Sequence, residues 1–175
     1  MALPFQRFGC HTKGKNEKEM SYYKATELIK NTAQGTGLIT TVTHGNFQDI
    51  DVKRQTLFPL LHVVPVNLVV TSSIVTYTYT LFFCDLPDFN KEDQYKMAAP
   101  WWGTDNTIDV LNQMSLAVQM FIDQLTRGVS VDNKFQVAVT NTGTFFTNKV
   151  ENLLTGVQMD INITMPNSST TDGIC

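Results

Sequence analysis

Histidine, cysteine and acidic side chains are the residues of this chain that metal binding or catalysis would use. The three histidines, His11, His44 and His62, do not have the spacing of a metal-binding pair on a helix, and His62 lies inside an apolar segment. This pattern favours imidazoles with a structural role over metal ligands or proton-transfer groups.

The three cysteines, Cys10, Cys84 and Cys175, are far apart and odd in number, and no two have the spacing of a zinc knuckle or a redox motif. Residues 1–18 contain neither an apolar h-region nor a small-residue cleavage site, so no signal peptide is indicated. We therefore expect the chain to fold in a reducing cytosol and to keep its thiols free.

Two further segments invite comparison with ligand-binding motifs. Gly35-Thr36-Gly37 follows a predicted helix, and it lacks the third glycine or the Lys-Ser pair of a phosphate loop, so it predicts a helix end. An acidic cluster lacks the regular oxygen spacing and central glycine of an EF-hand; it comprises Asp85, Asp88, Glu92 and Asp93. We predict no catalytic residue, no cofactor and no metal site.

Trp101 and Trp102 are adjacent in a loop bounded by Pro100 and Gly103. Two neighbouring indoles do not easily point into one core, and tryptophan is enriched where subunits bury surface. The pair fits a core that anchors the following helix and a subunit interface equally well.

The composition limits the class of protein. A chain of 175 residues suits one domain, and 17% charged residues is low for a soluble protein, which suggests that more surface is used for contacts. The formal net charge of -3 disfavours sequence-independent binding to nucleic acid. No apolar run reaches the ~20 residues that cross a bilayer, so no membrane association is expected.

The first half of the sequence predicts an arm, a helix and three strands. Residues 1–20 have no periodicity and form the arm, and Ser21 caps a short helix whose apolar residues recur every three to four positions. Strands are predicted within 38–51, 56–70 and 74–84, with Pro59 at the beginning or on an edge of the second.

The third predicted strand alternates most clearly. Its inward residues are Val75, Tyr77, Tyr79, Leu81 and Phe83, and the outward ones are Thr76, Thr78 and Thr80. The threonine face is expected to be wet or to meet a neighbouring subunit through its hydroxyl groups.

The second half predicts a loop at 90–103, a long helix and two strands. The helix is capped by Thr104 and carries one apolar stripe, formed by Ile108, Leu111, Met114, Val118, Phe121, Ile122 and Leu125. The strands lie within 134–147, with a turn or bulge at Asn141 and Gly143, and 154–165. Residues 167–175 are polar and rich in serine and threonine, and we expect them to form a flexible C-terminal tail. We therefore predict an α+β fold, a mostly antiparallel sheet covered by one long helix and one short N-terminal helix, with a single domain at 21–166.

Several short motifs follow one another in a specific order along residues 21–166. Phe58-Pro59-Leu60-Leu61-His62-Val63 opens the second strand, the third closes in Cys84-Asp85-Leu86-Pro87, the long helix follows, and Leu154-Thr155-Gly156-Val157-Gln158-Met159-Asp160-Ile161 begins the last strand. This order resembles phage tail terminator and tail-completion proteins. The chain departs from small members of that family in its arm at 1–20 and its loop at 90–103.

The resemblance implies a structural subunit of the virion tail or neck, assembled in the cytoplasm of a host bacterium. Copies would form a sixfold ring that stops polymerisation of the tail tube and contacts the head connector, and the tail sheath is a further candidate partner. DNA would pass through the lumen without specific binding. The candidate contact residues are Phe5, Phe8, Trp101 and Trp102, together with Thr76, Thr78 and Thr80.

Two alternatives stay open. One is another phage subunit, from the tail tube, the head-completion complex or the region near the baseplate, and spontaneous filaments would favour it. The other is a small ligand-binding or hydrolytic domain that uses His62, Asp85 and the tryptophans.

Overall fold

The computed structural model describes residues 21–50, 57–87, 106–129, 135–149 and 154–167. They form helix α1 (Ser21–Gly35), strands β1 (Thr41–His44), β2 (Leu60–Val70) and β3 (Ile74–Asp85), helix α2 (Thr107–Gln124), and strands β4 (Gln136–Lys149) and β5 (Leu154–Pro166). A 3-10 turn spans Phe47–Asp49, and a π-helical turn, Leu125–Val129, extends α2. The predicted α+β class is confirmed.

The five strands form one mixed sheet in the order β1-β2-β3-β5-β4. Three of the neighbouring pairs are antiparallel, as predicted for most of the sheet, but β1 runs parallel to β2. The expectation that consecutive strands pair antiparallel is therefore wrong for β1. The carbonyl oxygen of Pro59 accepts the N–H groups of Thr40 at 2.9 Å and Thr41 at 3.3 Å, and it sets this register just before β2 begins.

Helix α1 ends where the sequence predicted. The Thr36 hydroxyl donates to the Ala33 carbonyl at 2.6 Å, and Gly37 has a φ of 70°, which a glycine adopts without a steric penalty. Gly35-Thr36-Gly37 is therefore a helix end. At 15 residues α1 is nearly as long as α2, which has 18, so the predicted contrast between a short and a long helix is weak.

Both helices pack on one face of the sheet and form the main core. The alternation predicted for β3 is confirmed, since Val75, Tyr77, Tyr79, Leu81 and Phe83 are all buried on this face, and β5 contributes Val157, Met159, Ile161 and Ile163. Helix α2 buries Val110, Met114, Ala117 and Phe121, while Ile108, predicted in its apolar stripe, is 45% exposed near the start of the helix. The predicted cap, Thr104, lies outside the described residues.

A smaller apolar cluster lies on the opposite face, near the start of β2. It consists of Ile50, Leu60, Phe82, Cys84, Phe146 and Leu154, with Phe47, Phe58 and Val64 packed against it. Phe47 belongs to the 3-10 turn, and its ring lies 4.3 Å from that of Phe82. This turn therefore covers one end of a face that the helices leave open.

Strand β4 changes register between Val139 and Gly143, which confirms the bulge predicted there. Gly156, opposite Cys84, lets β5 approach β3 closely: a Cβ atom at this position would lie 1.9 Å from the Phe83 carbonyl oxygen. The two central strands therefore require a glycine at this position.

Candidate assembly surface

On the face of the sheet opposite the helices, polar side chains of β3 and β5 form a row that begins next to the small cluster. The Thr80 hydroxyl donates to Asp160 Oδ1 at 2.5 Å, and the Thr78 hydroxyl donates to Asn162 Oδ1 at 2.7 Å. The hydroxyl groups of Thr76 and Thr164 are 3.0 Å apart. The three threonines predicted as contact residues thus lie side by side, half-buried, with their side chains already hydrogen bonded within the chain.

The described sheet has two long free edges on opposite sides. Strand β1 pairs only with Leu60–Val63 of β2, so the following residues of β2 have no strand beside them on that side within the described ranges. Strand β4 pairs with β5 on one side, and no described strand lies on the other. A free edge presents unpaired N–H and C=O groups that pair readily with another chain.

Both edges are poor in the charged residues that soluble proteins use to prevent edge pairing. Pro65 and a register shift before Asn67 interrupt β2 at one point, but residues Val66–Val70 beyond it contain no charge. The other edge, β4, contains no charged residue before Lys149.

The β2–β3 hairpin exposes apolar side chains that its sequence would place in a core. Val66, Leu68, Val69 and Val70 are 59%, 53%, 49% and 59% exposed, in the part of β2 that extends beyond β1. A mostly apolar run, interrupted here only by Asn67, is typical of a buried strand, so the sequence did not single out these residues. The hairpin turn is fixed by Asn167, which donates from its backbone N–H to the Ser73 carbonyl at 2.9 Å and from Nδ2 to the Thr71 carbonyl at 3.0 Å.

An open groove of about 360 Å³ lies beside this hairpin. Its lining comprises Tyr22, Pro65, Val66, Asn67, Leu68, Tyr77, Thr78 and Tyr79. The Tyr22 ring meets the rings of Tyr77 and Tyr79 at 5.5 and 6.2 Å, so one wall of the groove is aromatic. Burial raises the pKa of Tyr79 to about 12, and burial also raises the pKa of Tyr22, so both phenols remain neutral near pH 7.

The two described histidines are engaged in local hydrogen bonds. His44 Nε2 is 2.5 Å from the Tyr22 hydroxyl, which connects β1 to the start of α1. His62 is buried, and its Nε2 lies 3.2 Å from the Gly45 carbonyl while its Nδ1 lies 2.7 Å from the Thr43 hydroxyl. Because a carbonyl only accepts, Nε2 carries a proton in this arrangement, and Nδ1 shares a hydrogen bond with the Thr43 hydroxyl.

The residues of the ligand-binding alternative are not brought together. His62 pairs with Phe82, so its side chain points to the face of the small cluster. Asp85 lies two residues beyond Phe83, so its side chain points to the opposite face, which the helices cover. The Asp85 carboxylate accepts the Leu86 N–H at 2.7 Å, and partial burial raises its pKa. Nearby, Cys84 is a buried free thiol whose pKa burial raises to about 12, so it is a poor nucleophile.

Four of the predicted contact residues, Phe5, Phe8, Trp101 and Trp102, lie outside the described residues, as do Cys10, Cys175, His11 and the predicted loop at 90–103. Sequence reasoning also missed Phe145, which stands on the free edge β4 opposite Val157 and is 62% exposed. Its place two residues after Gly143, where a bulge was predicted, was the available signal.

No protein-family model matches this chain, and no curated protein matches it. Within the described ranges, no three His, Cys, Asp or Glu side chains are grouped so that they could hold a metal ion. None of the helices in those ranges is long and apolar enough to cross a bilayer. The described surface presents two sheet edges beside which no further described strand lies, an aromatic groove and a polar face.

Proposed function

We propose that this chain is a non-catalytic structural subunit of a phage virion, a tail terminator whose copies form a ring, hexameric as in the family it resembles. The observation that supports this proposal is the pair of edges on opposite sides of one sheet that no other described strand covers, with Lys149 as the one charged residue in β4 and none in Val66–Val70. Contact between two different surfaces of identical subunits is head-to-tail, and such contacts close into a ring when the rotation between copies permits.

On this proposal the ring caps the tail tube and joins it to the head connector in the neck of the virion, after assembly in the bacterial cytoplasm. The polar face of Thr76, Thr78 and Thr80 is then a second contact surface, available to the tail tube protein or another neighbour. The net charge of -3 is compatible with a lumen that lets DNA pass without holding it.

Electron microscopy of the purified protein tests the proposal directly. Negatively stained particles should be closed rings, and the rings should bind to the ends of tail tubes and stop their elongation. A protein that stays monomeric at high concentration and leaves tube growth unchanged would contradict the terminator assignment.

A tail-tube subunit is the second candidate, and the exposed β2–β3 hairpin favours it. An apolar hairpin with a free edge can also add strand to strand without closing, which produces filaments. Filaments that form from the pure protein, in place of rings, would support the tube subunit over the terminator.

A further inference from the structure

The two free edges of the sheet differ in shape. The β2 edge borders the open groove beside Tyr22 and Tyr77, which is lined mainly by apolar and aromatic side chains. The β4 edge presents Phe145, whose large apolar ring is 62% exposed. One edge is therefore concave and the other carries a projecting aromatic residue.

Both features lie on the helix-covered face. Leu68, in the wall of the groove, pairs with Tyr77, and Phe145 pairs with Val157; Tyr77 and Val157 both belong to the main core. Because directly paired residues point to the same face of a sheet, Leu68 and Phe145 present their side chains on the same side. A second copy placed edge to edge can then bring its Phe145 over the groove without inverting its sheet.

We infer that the β2 edge, Val66–Val70, binds the β4 edge of a second copy of this chain, with Phe145 of that copy in the groove. The inference rests on the proposed function, since it specifies how neighbouring subunits of the ring meet. Strand β4 is antiparallel to β2 within one subunit, so the pairing between copies extends the sheet as an antiparallel ladder.

The geometry also defines how the copies are offset. Phe145 pairs with Val157, which in turn pairs with Phe83, whereas Leu68 pairs with Tyr77. Phe83 and Tyr77 are six residues apart along β3. At ~3.3 Å per residue, neighbouring copies are displaced along the strands by ~20 Å. This offset leaves the hairpin of each copy in contact with the middle of β4 in the next.

A pair of single substitutions tests the interface, because a head-to-tail contact uses different residues on its two sides. Phe145→Asp removes the projecting ring and keeps the groove, whereas Leu68→Asp damages the groove and keeps the ring. Each variant alone should be monomeric by light scattering after gel filtration, with a dissociation constant raised ~30-fold or more, as for a hot-spot residue. An equimolar mixture should form a dimer, since one intact pair of surfaces remains.

Leu116→Asp is the matched control, because Leu116 is 47% exposed on the outer side of α2 and should assemble like the wild type. Circular dichroism checks that each variant is folded, and Phe145→Thr and Leu68→Thr replace the aspartate variants if these do not fold. Threonine suits an edge strand and still removes the apolar contact.

The outcomes separate the interface from the function. Rings formed by the wild type and by Phe145→Asp alike would overturn the interface and leave the terminator proposal standing. Dimers in the mixture together with wild-type filaments would support the interface and contradict the terminator. A mixture that stays monomeric overturns the interface. A monomeric wild type overturns both, including the case in which residues 1–20 of the same chain occupy the groove.

Discussion

Phe83, near the C-terminal end of β3, and Phe121 on α2 meet edge to face, with ring centroids 5.4 Å apart and an interplanar angle of 67°. Both side chains are fully buried. Their contact connects α2 to β3, the central strand of the sheet. It therefore helps to hold the helix against the sheet whose two edges form the proposed interface.

Replacing Phe121 by alanine should lower the free energy of unfolding by about 3–5 kcal/mol, because it removes a buried ring and leaves a cavity. Leu116→Ala, at an exposed position of the same helix, should change it by no more than about 0.5 kcal/mol. Denaturant unfolding followed by circular dichroism, at one protein concentration, measures both. Equal losses for the two variants would show that α2 does not pack through Phe121.

Much of this architecture follows from residue patterns. The period-two alternation of Val75–Phe83 and of Val157–Ile163 identified the buried face of β3 and β5, and the glycines after Ala33 identified the end of α1. These features are local, because each depends on residues a few positions apart.

The features that sequence could not predict depend on neighbours in space. Parallel pairing of β1 with β2 results from the path of the chain between them, which hydrophobic periodicity does not record. The run Val66–Val70, apolar apart from Asn67, is typical of a buried strand, yet its apolar side chains are exposed where β2 extends beyond β1. The groove required Tyr22 of α1 to lie against Tyr77 and Tyr79 of β3, and no spacing in the sequence indicates those contacts.

Alanine at position 156 should be poorly tolerated. Its Cβ would lie 1.9 Å from the Phe83 carbonyl oxygen and 2.8 Å from Cys84 Cα, so the two central strands must separate, at a cost of about 3 kcal/mol or more. At Gly143 the nearest atom is the Val157 Cγ1 methyl at 3.1 Å, which can shift, so alanine should cost less than about 1 kcal/mol there. Thermal or denaturant unfolding compares the two, and a milder effect at position 156 than at 143 would be incompatible with the close approach of β5 to β3.

The substitution Asp85→Asn should make the protein more stable at pH 7. Burial raises the pKa of the Asp85 carboxyl above its ordinary value of 3.8, so the folded state retains the proton more tightly than the unfolded state. Stability that is present below about pH 4 is therefore lost as the pH rises through the folded pKa. The Leu86 N–H, which now donates to the Asp85 carboxylate, can still donate to the side-chain carbonyl oxygen of an asparagine.

The gain from Asp85→Asn should be under about 1 kcal/mol, because the carboxylate is partly exposed and therefore screened. Unfolding free energies of both proteins between pH 3 and 7 measure it, and their difference cancels the titration of the other carboxyl groups. The advantage of the asparagine variant should vanish near pH 3. An advantage that increases towards low pH would mean that Asp85 stabilises the fold as a carboxylate.

The same substitution should have opposite effects at two buried threonines. Thr155 is fully buried and its hydroxyl has no hydrogen-bond partner within the described part of the chain, so Thr155→Val should raise the free energy of unfolding by about 1 kcal/mol. The Thr36 hydroxyl donates to the Ala33 carbonyl and accepts the Leu38 N–H at 3.3 Å, so Thr36→Val should lower it by about 1–2 kcal/mol. Valine has a similar shape to threonine, so each difference reports the hydroxyl group. Denaturant unfolding of the two variants beside the wild type measures both changes in the free energy of unfolding. A decrease for Thr155→Val as large as that for Thr36→Val would mean that the Thr155 hydroxyl is hydrogen bonded in solution.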